Sequence, residues 1–389
     1  MLESMKKADK KIIIMGGMVL GIIVIFIIAI FVVSLSSGGK LSFEKIEKKL
    51  VSAAESYYED NEDALPEKVG KSAEIDSDEL VSGGYIKDLS EFTDEDVVCS
   101  GKVIVGKTES GYDYVASLDC GEDYKTEFLA DKLIEEDVVT SGEGLYKMED
   151  VVEYGTTLGM DEDGYDLSTN ELMTGYIYRG EDPDNYVKIE GDNNLYRIVK
   201  IDGNKDITLF STYKKQKGKF DTNYNTEAQN NYGINEYPLS AAYNSLKDYY
   251  ESDLINEYLK SKVVTKNVCV GARSVDETST DGSVECSVVQ KDQAISLIPV
   301  FDIMNASLSD ACETTVNKEC QNYNYLIKDV RMWTMTPSTE NSYTGYRVAS
   351  GIVASRSSES TIYGHVYYLS NRVIFAGGTG TEKDPFILK

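Results

Sequence analysis

The chain has 389 residues and a formal net charge of -27, with 66 acidic against 39 basic residues. An excess of negative charge of this size opposes binding to nucleic acids and to anionic membrane surfaces. The length is sufficient for two folded domains, and 28 tyrosines with only 6 prolines indicate a folded, strand-rich protein.

The first predicted element is a membrane-spanning helix. The apolar run from Ile12 to Val33 contains 22 residues, which as a helix would span about 33 Å, close to one bilayer core. This run is longer than the apolar core of a cleavable signal peptide. We therefore predict a permanent anchor at residues 12–35, after a tail at residues 1–11 and before a linker at residues 36–40.

The flanks of this helix predict its orientation. Lysines at positions 6, 7, 10 and 11 precede it, and positively charged flanks stay in the cytoplasm. We expect a single-pass protein of the cell membrane with a cytoplasmic N-terminus and extracellular C-terminal domains. Gly17 and Gly21 form a Gly-x-x-x-Gly pair, which allows close helix packing and self-association. The alternative is that glycine is simply common in membrane helices.

A second helix follows the linker. Phe43, Ile46, Leu50, Ala53 and Tyr57 recur at spacings of three and four, which places them on one helix face. We call these five residues the apolar stripe, and we expect it to pack on a sheet of its own domain rather than on a partner.

A disulfide-linked hairpin is predicted next, in "CSGKVIVGKTESGYDYVASLDC". With Glu109-Ser110 as the turn, Cys99 faces Cys120, and Val103 faces Ala116 on the same side of the sheet. A shift by one residue would destroy this agreement, so the hairpin and the disulfide support each other.

The six cysteines all follow the predicted anchor, and an even number in an oxidising compartment favours disulfides. Without a Cys-x-x-Cys pair and with one histidine, the chain lacks a usual zinc set. Besides Cys99–Cys120, we predict Cys269–Cys286 and Cys312–Cys320 from proximity in the sequence alone.

The order of membrane helix, "EKKLVSAAESYY", "LVSGGYI" and hairpin resembles type IV pilins and pseudopilins. The resemblance covers about residues 12–130 and implies a pilin-like domain at residues 41–130, with one helix on an antiparallel sheet. Two features differ from pilins. The processing signal is missing, and a Ser-Gly-Gly break interrupts the stem.

Residues 131–172 are acidic and contain scattered glycines, so we predict a junction there. Asp161, Asp163 and Asp166 surround Gly164 in a spacing similar to that of calcium loops. The complete helix-loop-helix calcium pattern fails, because its first and twelfth ligand positions are Gly159 and Asn170. A solvated acidic turn is the favoured alternative, and we predict no metal or other cofactor.

The last part, residues 173–389, shows the pattern of a β-rich domain. Its segments "NYVKIEGDNNLYRIVKID", "YLIKDVRMWTMTPS" and "GGTGTEKDPFIL" resemble a group of Firmicute surface domains related to C-type-lectin-like and formylglycine-enzyme-like α+β folds. The resemblance covers about residues 142–389. It implies a surface or ligand-binding module and no catalytic residues.

The sequence offers little for catalysis. His365 is the one histidine, and strand alternation places it on a face with Tyr363 and Tyr367, as expected for a half-buried structural residue. No Gly-x-Ser-x-Gly elbow or phosphate-binding loop occurs. Trp333 lies among alternating apolar residues and is predicted to be a core residue rather than a platform for sugar stacking.

These observations predict an α+β protein with one transmembrane helix, a small pilin-like domain and a larger β-rich domain. The expected function is non-enzymatic: adhesion, binding of a surface glycan or protein ligand, or surface assembly. One alternative is an assembly subunit similar to a minor pseudopilin. Another is a cell-wall glycan hydrolase, because such an enzyme needs only two suitably spaced carboxylates.

Overall fold

The computed structural model describes residues 40–388 except 109–110, 153–155, 161–165, 170–171, 213–215, 253 and 329, and the side chains of residues 150–173 are also outside the description. The predicted anchor, with Gly17 and Gly21, therefore lies outside the described residues. Among the residues that are described, no helix combines the length and the apolar character needed to cross a bilayer.

The described part of the chain has a mixed α+β fold. Its α-helices are α1 (Phe43–Asp60), α2 (Ser77–Ser82), α3 (Leu129–Glu136), α4 (Ala241–Glu251), α5 (Glu257–Lys262) and α6 (Val300–Asn305). Its first strands are β1 (Ser72–Asp76), β2 (Ser100–Thr108), β3 (Gly111–Asp119), β4 (Gly144–Val152), β5 (Thr156–Met160), β6 (Asp166–Thr169), β7 (Leu172–Arg179), β8 (Tyr186–Ile189), β9 (Leu195–Ile201) and β10 (Ile207–Ser211). The remaining strands are β11 (Lys217–Lys219), β12 (Lys266–Cys269), β13 (Val289–Gln293), β14 (Ile295–Ser296), β15 (Arg331–Pro337), β16 (Thr344–Ala349), β17 (Ile352–Arg356), β18 (Ser360–Tyr363), β19 (Val366–Leu369) and β20 (Phe386–Leu388).

These strands form three main sheets. A three-stranded sheet has the order β1-β2-β3, and a five-stranded sheet has the order β11-β18-β15-β16-β17. The eight-stranded sheet follows the path β14-β19-β10-β9-β7-β4, with β8 paired to β9 and β20 paired to β8. Strands β12 and β13, and strands β5 and β6, form separate two-stranded pairs.

The chain divides into two compact units. The smaller unit contains, among the described residues, 40–60, Ile75–Val103 and Ala116–Lys125, and the larger unit contains Asn61–Glu74, Ile104–Val115 and 126–388. Residues 61–74 and 104–115 thus cluster with the larger unit, although the sequence alone assigned them to a domain at residues 41–130.

Helix α1 supplies much of the core of the smaller unit. Ile46 and Leu50 of the apolar stripe have no exposed surface, and Ala53 is also buried. Phe43 stacks on Tyr124 with 4.8 Å between the ring centroids. Three of the five stripe residues are thus buried in the smaller unit, and Phe43 and Tyr57 are half-buried.

The predicted hairpin and its disulfide are present. Strands β2 and β3 are neighbours in the three-stranded sheet, and Cys99 is bonded to Cys120. Val103 and Ala116 are both buried, as their common face requires. The turn residues 109–110 lie outside the description. The other two predicted disulfides, Cys269–Cys286 and Cys312–Cys320, also form.

The segment at residues 131–172 differs from the acidic junction that we expected. It contains most of α3 and all of β4, which pairs with β7 at the edge of the eight-stranded sheet. An edge strand leaves backbone and side chains open to solvent, so charged residues are tolerated along it. Lys147 and Glu149 are exposed on β4, whereas Leu145 is fully buried. Part of the predicted junction is therefore an exposed edge strand.

Candidate functional site

The larger unit contains two adjacent cavities with a common wall. The deep cavity has a volume of about 340 Å³ and the outer groove about 720 Å³, which is the size range of small-molecule sites. The wall that they share consists of Lys328, Val330, Arg331 and Ile362.

The deep cavity lies where residues of two sheets meet. The eight-stranded sheet contributes residues of β8, β9 and β10, and the five-stranded sheet contributes residues of β15 and β18. Parallel pairing of β15 with β18 sets Met332 opposite Ile362 and Trp333 opposite Tyr363. Trp333 has no exposed surface and packs edge-on against Phe220, so its prediction as a core residue is confirmed.

Arg197 forms one fixed wall of the deep cavity. Its Nε donates to Asn185 Oδ1 over 2.7 Å, and its Nη2 donates to the Pro183 carbonyl over 2.9 Å. Nη1 lies 3.0 Å from Asp182 Oδ1. The guanidinium carbon lies 4.0 Å from the centre of the Tyr186 ring and 4.5 Å from that of Tyr325. These contacts fix the guanidinium and the two rings, because an arginine donates in a rigid planar fork.

The tyrosines of the deep cavity remain protonated at physiological pH. Burial raises the pKa of Tyr186 to about 12, and its hydroxyl donates to Asp182 Oδ1 over 2.8 Å. Burial likewise raises the pKa of Tyr363 to about 12, and its hydroxyl donates to the Lys219 carbonyl. The pKa of Tyr325 is also raised, chiefly by burial. The rings therefore offer neutral aromatic surface to a ligand, while their hydroxyl groups donate hydrogen bonds within the protein.

The shared wall carries two cations with different surroundings. The Nζ of Lys328 lies 2.9 Å from Glu181 Oε1. Arg331 begins β15 and is exposed, and no hydrogen bond or ion pair joins it to any other side chain of the described residues. Tyr323 belongs to the lining of the outer groove and is 57% exposed. The outer groove thus combines a guanidinium without a protein partner in the described chain and an open aromatic ring.

The closing segment "GGTGTEKDPFIL" positions Glu382 at the deep cavity. The end of this segment forms strand β20, which pairs in parallel with β8. The Gly380 carbonyl accepts a hydrogen bond from the Tyr186 backbone N–H over 2.8 Å. Gly380 has φ +77, and a Cβ there would lie 2.4 Å from the Asp184 carbonyl oxygen. The segment therefore requires glycine at this position, since a larger residue would clash with the chain that precedes β8.

The residues singled out for chemistry from the sequence do not, where the structure describes them, belong to either cavity. His365 is 2% exposed, more buried than expected, with its Nε2 3.1 Å from Gln216 Oε1 and its ring 4.5 Å from that of Tyr249. It does not line either cavity. Asp161 and Asp163, and the side chain of Asp166, are outside the described residues. Among the residues that are described, no group of three or more His, Cys, Asp or Glu is arranged to hold a metal ion.

The cavity residues were missed as a site, although the sequence contained a signal for them. Tyr186 and Arg197 belong to "NYVKIEGDNNLYRIVKID", Lys328 and Arg331 to "YLIKDVRMWTMTPS", and Glu382 to "GGTGTEKDPFIL". The three segments that carry the resemblance to surface domains therefore all contribute to the lining of the deep cavity.

Comparison with known proteins gives no match to this chain, whether among protein-family models, curated proteins or solved structures.

Proposed function

We propose that this chain is a membrane-anchored bacterial surface protein that binds a ligand without chemically changing it, through the deep cavity and the outer groove. The observation that carries the proposal is the convergence of three distant segments, with Arg197, Arg331 and Glu382, on one cavity of about 340 Å³. A concave site with aromatic walls and a few converging polar groups is the usual form of a ligand-binding site.

The chemistry of the lining supports binding rather than turnover. Tyr186 and Tyr363 are protonated at physiological pH, as tyrosines ordinarily are, and burial raises their pKa values further, to about 12. Arginine also stays protonated in proteins. The lining therefore presents neutral aromatic surface, and Arg331 adds a guanidinium that is not bonded to any described side chain. General acid–base catalysis needs a group whose pKa lies near the working pH, which these tyrosines and arginines do not supply. Glu181 and Glu382 are the carboxylates of the linings that the glycan-hydrolase alternative would have to use.

A surface-assembly role receives less support than ligand binding. The pilin-like alternative would use the apolar stripe of α1 to contact other subunits, but Ile46, Leu50 and Ala53 are already buried within the smaller unit. These three residues are therefore committed to the core of their own unit, which leaves only the half-buried Phe43 and Tyr57 of the stripe for such contacts. We keep ligand binding as the proposed function.

The test is a comparison of binding and turnover with the full-length chain in detergent. Purified peptidoglycan and an array of surface glycans are offered, and both bound protein and released fragments are measured. The proposal expects saturable binding without products, whereas release of soluble fragments would contradict it.

A cavity-blocking variant locates the binding site. Ile362 is half-buried and lies in the wall shared by both cavities, so Ile362→Trp should fill part of that space and weaken binding by at least tenfold. Val353 is a half-buried β-branched residue of β17 outside both linings, and Val353→Trp is the matched control. Equal binding by the two variants would show that the ligand binds at a surface other than these two cavities.

A further inference from the structure

The candidate site has a larger share of basic side chains than the chain as a whole. Over the whole sequence, 66 acidic residues outnumber 39 basic residues. The described lining of the two cavities has instead three basic residues, Arg197, Lys328 and Arg331, against two acidic residues, Glu181 and Glu382. Because the acidic excess of the chain repels anions, an anionic group binds most readily where a cation is left without a carboxylate of the protein.

The three cations are not equivalent. Asp182 lies 3.0 Å from Arg197, and Glu181 lies 2.9 Å from Lys328, so each of these cations already has a carboxylate of the protein. Arg331 has no such partner among the described residues, and it lines both cavities. A guanidinium binds carboxylate or phosphate oxygens with two parallel hydrogen bonds. Arg331 is therefore the group available to a charged ligand.

The other lining groups match a hydroxylated ring. Tyr323 exposes an aromatic ring in the outer groove, with the amides of Gln321 and Asn322 beside it in the lining. Aromatic rings offer stacking surface to an apolar ring face, and amides donate and accept hydrogen bonds. Glu382, exposed in the lining of the deep cavity, supplies carboxylate oxygens that accept hydrogen bonds from hydroxyl groups.

We infer that the ligand is an acidic carbohydrate. Its oxyanion binds Arg331, and its hydroxyl groups form hydrogen bonds with Glu382 and with the amides of the outer groove. This inference rests on the proposed function and names its ligand class. The oxyanion is a carboxylate or a phosphate, because a guanidinium can donate two parallel hydrogen bonds to the oxygens of either group. A neutral sugar would leave Arg331 without the charged partner that distinguishes this site.

The experiment compares three sets of glycans on the full-length chain in detergent: carboxylate-bearing, phosphate-bearing, and the same carboxylate-bearing set converted to neutral methyl esters. Arg331→Gln is the test variant. Arg356→Gln is its matched control, because Arg356 is also an exposed arginine of the five-stranded sheet but lies against Tyr232 rather than in either cavity. Thermal unfolding of both variants verifies that they are folded.

The inference expects wild-type protein to prefer at least one acidic set over the esters by at least about tenfold, since a charged hydrogen bond contributes about 1.5–3 kcal/mol. Arg331→Gln should remove that preference, and Arg356→Gln should preserve it. Equal binding of acids and esters, or an unchanged preference in Arg331→Gln, overturns the inference.

The failure of the inference can be distinguished from failure of the proposed function. If neutral glycans bind as well as acidic ones and Ile362→Trp prevents their binding, the proposed function is retained and the inference is rejected. If none of the three glycan sets binds, the inference fails. The proposed function is then retained if purified peptidoglycan binds in a way that Ile362→Trp blocks, and it fails if peptidoglycan does not bind.

Discussion

Arg273 and Glu285 form an ion pair in which neither side chain has any exposed surface, with 3.0 Å between Nη1 and Oε2. Arg273 Nε also donates to Thr315 Oγ1 over 2.7 Å, and Glu285 Oε1 accepts the backbone N–H of Phe301 in α6 over 3.1 Å. Glu285 immediately precedes Cys286 of the second disulfide. The pair thus connects a disulfide-closed loop to a helix of the larger unit.

The first prediction is that Arg273→Met strongly destabilises the larger unit. Removal of one partner leaves the Glu285 carboxyl group buried without its guanidinium, and breaking a buried pair in this way costs about 3–5 kcal/mol. The free energy of unfolding is measured by urea titration. The control is Glu251→Gln, which breaks the exposed Lys247–Glu251 pair on α4 and should cost less than about 1 kcal/mol. Similar losses in the two variants would contradict the prediction.

The second prediction concerns alkaline pH. Burial raises the pKa of Tyr186 and Tyr363 to about 12, and it raises the pKa of Tyr178, Tyr237 and Tyr367 well above the ordinary value. Tyrosines of an unfolded chain ionise near pH 10. The folded state therefore binds these protons more tightly, and the stability that they contribute is present below about pH 10 and is lost as the pH rises through 12.

Phenolate absorbance measures this effect directly. At about pH 11, between the ordinary tyrosine pKa and the raised values, the native protein should show fewer ionised tyrosines than the same protein in concentrated guanidinium. Further ionisation should coincide with loss of circular dichroism. Ionisation of all tyrosines near pH 10 with an unchanged spectrum would show that these hydroxyl groups are accessible.

The third prediction concerns the second disulfide. Cys269 and Cys286 are buried together with Phe301, and their bond closes a loop with a sequence separation of 17. Replacing both with alanine should reduce the free energy of unfolding of the larger unit by about 3 kcal/mol in the chain-entropy model. Urea titration measures the loss, and reduction of the variant should have less further effect than reduction of the wild type. An unchanged free energy would show that the loop is already restricted without the bond.

The predictions that succeeded from sequence depend on residues close together in the chain. The apolar stripe of α1 repeats within four residues, so its helical face could be identified without knowing what it packs against. The Cys99–Cys120 pairing followed from alternation about one turn.

The candidate site could not be assembled in the same way. Arg197 and Arg331 are far apart in the sequence, and they line one cavity because strands of two different sheets meet there. Arg331 begins a run of alternating apolar residues, so the pattern identified strand β15 but gave no reason to single out its first residue. Glu382 reaches the deep cavity through the pairing of β20 with β8. Pairing between distant strands is not encoded in local periodicity.

The fourth prediction separates packing from backbone strain in the closing segment. Gly377 and Gly378 both have positive φ, at +126 and +92, but a Cβ on Gly377 would meet nothing within 4 Å, whereas one on Gly378 would lie 2.0 Å from the Pro385 carbonyl oxygen. Gly377→Ala should therefore cost only the strain of an unfavourable backbone conformation, about 1–3 kcal/mol. Gly378→Ala should cost more, because the backbone at Pro385 must also move.

Such a movement should reach the candidate site. Glu382 lies between Gly378 and Pro385, where the Thr379 N–H donates to the Asp384 carbonyl over 2.9 Å. Displacing Pro385 would shift this loop and the Glu382 carboxylate with it. We therefore expect Gly378→Ala to weaken ligand binding more than Gly377→Ala at temperatures where both variants are folded. If the two variants bind equally and unfold with the same free energy, the loop adapts without loss, and Glu382 is not held in place by this packing.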